Sequence, residues 1–137
     1  MASILVVDDE MGIRELLNEI LTDEGHSVVS AQNADEARKA RENLEPDLVL
    51  LDMNFSAGVN SGNEGIYWLS RIQEIRPDME VVLFTAYGDV ELAVKALKKG
   101  ASDFILKPWD NEKLRTTLHN VFRLQQSKKE IKSLKRK

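Results

Sequence analysis

Asp8, Asp9, Asp52, Thr85 and Lys107 are the residues of this chain whose types together could do chemistry. Each follows a short apolar run. Ile4-Leu5-Val6-Val7 leads into Asp8-Asp9-Glu10, Leu48-Val49-Leu50-Leu51 into Asp52, Val81-Val82-Leu83-Phe84 into Thr85-Ala86, and Phe104-Ile105-Leu106 into Lys107-Pro108. Three carboxylates gathered in one place repel one another and need a cation. A hard, oxygen-seeking ion such as Mg²⁺ meets that need with one or two carboxylates and several waters. A carboxylate beside such an ion, with a lysine to neutralise the equatorial oxygens and a hydroxyl to hydrogen-bond them, is equipped to receive a phosphoryl group. Asp52 is then the nucleophile, since aspartyl phosphates are an established type of covalent intermediate.

Taken singly, each residue has a plainer use. Asp8 and Asp9 suit a helix cap, Asp52 the opening of a turn, Thr85 a helix entry and Lys107 a solvated charge. Their joint occurrence at four strand ends favours a site. That argument requires one sheet edge to collect them. The apolar runs lack polar alternation, as strands buried on both faces do. Between them lie segments at helical spacing: Ile13, Leu16, Leu17, Ile20 and Leu21; Ala34, Ala37, Ala40 and Leu44 behind a cap at Asn33; Trp68, Leu69 and Ile72 behind a capping box at Ser61–Glu64; and Val90, Ala93, Val94 and Leu97. Gly25 and Gly100 stop two of these helices, and Asp110 caps a last one. Five strands, counting 27–31 as the second, alternate with five helices. This predicts an α/β fold with a parallel sheet covered on both faces, and ligands then collect beyond the carboxyl ends of the strands.

A chain of 137 residues fits one domain. With no cysteine there is no disulfide or thiol chemistry, and a reducing cytoplasm is the expected location. No apolar run is long enough to cross a bilayer, and Met1 begins no signal-peptide pattern. Residues 123–137 carry seven Lys or Arg against Glu130, a balance of +6; with −4 for the whole chain, residues 1–122 stand at −10. Nucleic acid is therefore no partner for the body of the chain. His26 and His119 have no ligand-spaced partner and are expected at the surface.

The set Asp8-Asp9, Asp52, Thr85-Ala86 and Lys107-Pro108 resembles the receiver domain of bacterial two-component response regulators over roughly residues 3–122. Ala86-Tyr87-Gly88-Asp89-Val90-Glu91, with Lys98-Lys99-Gly100-Ala101, further resembles NtrC-type receivers, which regulate activators of the alternative sigma factor. The resemblance implies a flavodoxin-like (CheY-like) doubly wound sheet of order 2-1-3-4-5. It implies Mg²⁺ bound by Asp8, Asp9, Asp52 and the backbone carbonyl of Asn54, and a phosphoryl group delivered by a sensor histidine kinase. It makes Thr85 and Phe104 a coupled switch, although Phe104 is otherwise simply a core aromatic. It offers Gly12, Ile13, Leu16 and Pro108 as the kinase docking edge, where core packing is the default for Ile13 and Leu16. Such a domain catalyses only its own phosphorylation and slow autodephosphorylation.

This sequence departs from the family between Asp52 and Gly65, where Phe55-Ser56 and a longer Gly- and Asn-rich loop replace a Met-Pro pair and a short turn. Tyr87 borders the same pocket, and its bulk is expected to slow hydrolysis. After Leu114, Leu118, Val121 and Leu124 the last helix has no stop signal, and Val121, Leu124 and Ile131 keep a weak heptad-like spacing. Residues 123–137 therefore read as a helical linker from a 1–122 receiver toward an output domain. Homodimerisation is expected through this helix or through the face of the fourth helix, fifth strand and last helix. The alternative is a frayed, solvated tail. Two other functions compete. A haloacid dehalogenase-like phosphatase would want Asp-x-Asp after the first strand, where this chain has Asp8-Asp9-Glu10; a phosphorylation-independent interaction domain would stay unlabelled by a small phosphodonor.

Overall fold

Uninterrupted Val, Leu and Ile runs form strands here because helices cover both of their faces. The computed structural model describes residues 3–32, 34–43, 46–52, 63–76, 79–86, 90–107 and 109–135. Strands and helices alternate as β1 (Ser3–Val7), α1 (Met11–Asp23), β2 (Ser27–Ala31), α2 (Ala34–Asn43), β3 (Leu48–Asp52), α3 (Asn63–Ile75), β4 (Glu80–Ala86), α4 (Val90–Lys98), β5 (Asp103–Lys107) and α5 (Asn111–Lys135). The strands form one parallel sheet of order β2-β1-β3-β4-β5, the order expected. The proposed caps at Asn33 and Ser61, together with Asn54, Tyr87, Pro108 and the long loop after Asp52, lie outside the described residues.

The two-residue period of a strand sorts side chains onto two faces. Ile4, Val6, Leu48, Leu50, Val82, Phe84 and Ile105 pack with Leu17 and Leu21 of α1 and Leu114, Leu118 and Val121 of α5. Leu5, Val7, Val49, Leu51, Val81 and Leu83 pack on the other face with Leu69 of α3 and Ala96 of α4, where Ala37 and Ala40 of α2 also lie. The inner face of α4 differs from its expected one. Ala93 and Ala96 are buried, whereas Val94 points outward.

α1 and α4 end alike. Gly25 and Gly100 adopt φ of 91° and 112°, conformations that a residue without Cβ reaches without strain. Gly25 N–H donates to Thr22 O and His26 N–H to Leu21 O, while Gly100 N–H donates to Leu97 O and Ala101 N–H to Ala96 O. These paired bonds are Schellman caps, and they turn the chain into β2 and β5. At the start of α5, Asp110 caps as expected, its Oδ1 accepting the Glu112 N–H at 2.9 Å.

His26 is not the surface residue expected. Its ring is partly buried against Phe122, 5.4 Å between centroids, and its Nδ1 is buried without a hydrogen-bond partner among the described residues. Burial pushes its pKa down, and the nearby Glu24 carboxylate offsets this only in part. A depressed pKa stabilises the fold above the unfolded value of about 6.5, and that stability is lost as pH falls through the folded value. Urea unfolding followed from about pH 7.5 to about pH 5.5 should therefore show the wild type losing stability relative to His26→Phe. Parallel curves would contradict the burial argument.

Candidate functional site

Strand parity decides which site residues meet. Asp8 and Asp52 continue the even positions of β1 and β3, and Lys107 follows Ile105 on β5, so all three emerge on the α1/α5 face. Register makes them neighbours, since Val7 pairs with Leu51 and Asp52 with Phe84. The Lys107 ammonium donates to Asp8 Oδ2 at 3.0 Å and lies 3.4 Å from Asp52 Oδ1. Asp8 is 1 % exposed and Asp52 7 %, so the lysine compensates two carboxylates almost removed from water. Burial works against the charge on Lys107. Asp52, the hydrogen bond to Asp8 and the charges of Asp8 and Glu10 outweigh it, and the net pKa is raised. The ammonium also stands 6.0 Å above the centre of the Phe84 ring, whose far neighbour is Trp109 at 5.1 Å.

Asp8 has partners at each of its polar atoms. Its N–H donates to Ala31 O at 3.1 Å, its Oδ1 accepts the Glu10 N–H at 2.9 Å, and its main-chain oxygen accepts from Arg14 Nη1 at 2.7 Å. Asp8 thus shapes the turn after β1, while the N-cap of α1 is Glu10, which makes no side-chain cap bond. Carboxylate oxygens of Asp8, Asp9 and Glu10 lie within 4.8 Å of one another, with Asp9 and Glu10 exposed. This suits a hard cation that keeps part of its water shell. The expected ligand set was Asp8, Asp9, Asp52 and the backbone carbonyl of Asn54, the last outside the described residues. The structure adds Glu10 to the cluster and joins Asp52 to it through Lys107.

Thr85 and Phe104 lie on the opposite face. Thr85 follows Leu83 at odd parity, Phe104 is paired with Leu83, and Phe104 packs partly buried against the α2–α4 core. Thr85 is 1 % exposed, and its Oγ1 has no hydrogen-bond partner among the described residues. A buried hydroxyl left unpaired costs about 1–3 kcal/mol. It is aimed at nothing the described protein supplies.

The docking and dimer residues divide. Ile13 packs against the core, whereas Gly12 and Leu16 are exposed, the latter 44 %, beside Met11 at 63 %. Val121 is corrected: it is 2 % exposed because α5 covers the sheet with Leu114, Leu118 and Val121, and it cannot face a second copy. Leu124, one position round the helix, is 58 % exposed. Ile131 lies within α5, its side chain outside the described part. Sequence reading missed Glu10 and Arg14. Glu10 adjoins the acidic pair, and helix side chains lean toward the N-terminus, so an arginine one turn into α1 reaches back over it.

These features define a doubly wound α/β domain with an acid-and-lysine site at the carboxyl edge of its sheet. The response regulator receiver domain family matches residues 4–119, and the chain belongs to that family. Similar proteins include the nitrogen assimilation regulatory protein NtrX of Azorhizobium caulinodans, 35 % identical over 96 % of this chain and 28 % of that protein. Sporulation initiation phosphotransferase F of Bacillus subtilis is 38 % identical over 82 % of this chain and 86 % of its own. The crystal structure of NtrX from Brucella abortus superposes with a TM-score of 0.89 at 36 % identity, over 97 % of this chain and 29 % of that one. The chain therefore spans less than a third of the longer regulators it matches. The NtrC-type resemblance is borne out by these relatives, and the domain is a receiver of two-component response regulators rather than a phosphatase.

Two substitutions should behave oppositely in the unphosphorylated protein. Thr85→Val removes a hydroxyl with no hydrogen-bond partner among the described residues, so stability should hold to within about 0.5 kcal/mol or rise. Lys107→Met leaves Asp8 and Asp52 facing each other uncompensated and should cost about 3 kcal/mol. Urea unfolding measures both, and a large loss in Thr85→Val would mean that the hydroxyl is bonded after all.

Proposed function

We propose that this receiver accepts a phosphoryl group on Asp52 from the phosphohistidine of a sensor histidine kinase in the cytoplasm, with Mg²⁺ at the acidic edge. The observation that carries the reading is the Lys107 ammonium held 3.0 Å from Asp8 and 3.4 Å from Asp52. An Asp52 carboxylate oxygen attacks phosphorus as the P–N bond breaks, and the imidazole leaves neutral, with a proton on its other nitrogen. Lys107 keeps its proton and turns from carboxylate to phosphoryl oxygen, and the unpartnered Thr85 hydroxyl donates to another. Asp8, Asp9, Asp52 and the Asn54 carbonyl would hold Mg²⁺, with Glu10 beside them. Bound there, the ion neutralises charge on the transferring group.

In this reading Thr85 carries the event to Phe104, its companion on the same sheet face. The kinase docks on the edge where Gly12 and Leu16 are exposed, to which the family resemblance adds Pro108. Tyr87 slows attack by water, so the domain's own catalysis ends with one phosphorylation and slow self-dephosphorylation. The signal leaves through the α4–β5–α5 face and the extension of α5, where residues 123–137 link the 1–122 receiver to an output domain and hold a homodimer. Neither nucleic acid nor membrane is contacted directly by this segment. Among the described residues no helix is long and apolar enough to cross a membrane.

Mass spectrometry after acetyl phosphate and Mg²⁺ should find a single phosphoryl group on the wild type and none on Asp52→Ala. Continued ester turnover, or equal labelling of both proteins, would refute the assignment. Leu124→Lys should take up the same label, while light scattering shows it monomeric under conditions where one state of the wild type dimerises. An unchanged mass would remove α5 from the dimer contact.

A further inference from the structure

We propose that Arg14 is a positioning residue for the divalent cation, holding the turn that presents Asp9. The inference rests on the Mg²⁺ site proposed above. Parallel pairing between β1 and β2 ends where Asp8 N–H donates to Ala31 O at 3.1 Å, the last residue of β2. The next main-chain acceptor along the chain is the Asp8 carbonyl, which is part-buried and needs a partner. Arg14 supplies one, its Nη1 donating at 2.7 Å. The reach is built into α1, because Arg14 also donates its own N–H to Glu10 O at 3.1 Å in the first helical turn, and its side chain leans back toward that turn.

Fixing the Asp8 carbonyl fixes the plane of the Asp8–Asp9 peptide, and with it the direction in which Asp9 leaves the chain. Asp8 itself does not need this help, since its N–H and both carboxylate oxygens are already tied to Ala31, Glu10 and Lys107. Asp9 is exposed; the Glu10 N–H bond to Asp8 Oδ1 holds the peptide after it, and the guanidinium holds the peptide before it. The position of Asp9 relative to Asp8 and Glu10, all within 4.8 Å, therefore depends on the guanidinium.

Charge and position predict opposite results here. Arg14 is a cation beside three carboxylates, so by Coulomb repulsion alone its removal would tighten Mg²⁺ binding. If it positions Asp9, removal weakens binding, by about tenfold for a partner of this kind.

Titration calorimetry of the whole chain with magnesium chloride separates the two. Arg14→Met should bind about tenfold more weakly than wild type, while Arg14→Lys, whose ammonium can reach the same carbonyl, should bind within about threefold. Thermal unfolding without metal is read alongside. Unchanged or tighter binding by Arg14→Met overturns the proposal, as does equal weakening in Arg14→Met and Arg14→Lys. Arg14→Gln serves as a second neutral variant, and failure of both neutral variants to fold would make Arg14 a structural residue and overturn it too. A wild type that takes up no Mg²⁺ would instead remove the cation site beneath the inference.

Discussion

One lysine serves two carboxylates that are almost out of water. Separating either acid from Lys107 would leave an ionised group in a weakly polar surround, an error costing about 3–5 kcal/mol. The edge of the sheet is thus committed to a cation from β5 meeting anions from β1 and β3, which fixes how those three strand ends sit together. The commitment is incomplete. Asp9 and Glu10 add negative charge at the same rim, so the site is short of positive charge even with Lys107 in place. A site in that condition favours a divalent ion and any chemistry that moves a cation from carboxylate to phosphoryl oxygen.

Parity extends this constraint through the sheet. Asp8, Asp52 and Lys107 belong to the α1/α5 face, while Thr85 and Phe104 belong to the α2–α4 face. A slip of one residue in any strand would exchange the faces, bury charge among leucines and separate the lysine from its acids. Chemistry on one face is therefore adjacent to an unsatisfied hydroxyl on the other, one backbone width away. That hydroxyl is the part of the site not yet at its best hydrogen bonding, and it shares its face with a half-buried aromatic.

Much of this was legible in the chain itself. The strand ends, the glycine stops and the Asp110 cap follow from local patterns that the packing does not contradict, whereas the sheet order followed from the family resemblance. Where reading failed, the missing information was three-dimensional. Leu16 and Val94 lie on apolar stripes wider than the arc a sheet covers, and nothing in the spacing says which edge of a stripe stays in water. Val121 and Leu124 are both apolar positions of one helix, and only the packing of α5 on the sheet buries the first and exposes the second. Ala96, wholly buried, was not among the residues read onto the inner face of α4. Arg14 and the unpaired Thr85 oxygen could not be read at all, because a helix side chain returning to a carbonyl, or a hydroxyl lacking a partner, leaves no periodic trace.

The length of α5 completes the account. It runs for 25 residues, and its described contacts with the sheet reach as far as Gln125, whose Nε2 donates to Asp47 O at 2.9 Å. Asp47 is itself tied to Ser3 through both N–H groups, so this anchor holds the entry ends of β1 and β3 to the helix. Ten residues follow, about 15 Å of helix. They carry Lys128, Lys129, Lys132 and Lys135 against Glu130, and Lys128 and Lys132 stand at the four-residue spacing where like charges oppose an isolated helix. Helical stability in proteins comes mainly from an apolar face against a neighbour, and this stretch offers only Ile131 and Leu134 beyond the exposed Leu124. A helix that continues against its own charges with a thin apolar seam takes little stability from its own sequence. The same seam begins at the point where the domain's own core stops.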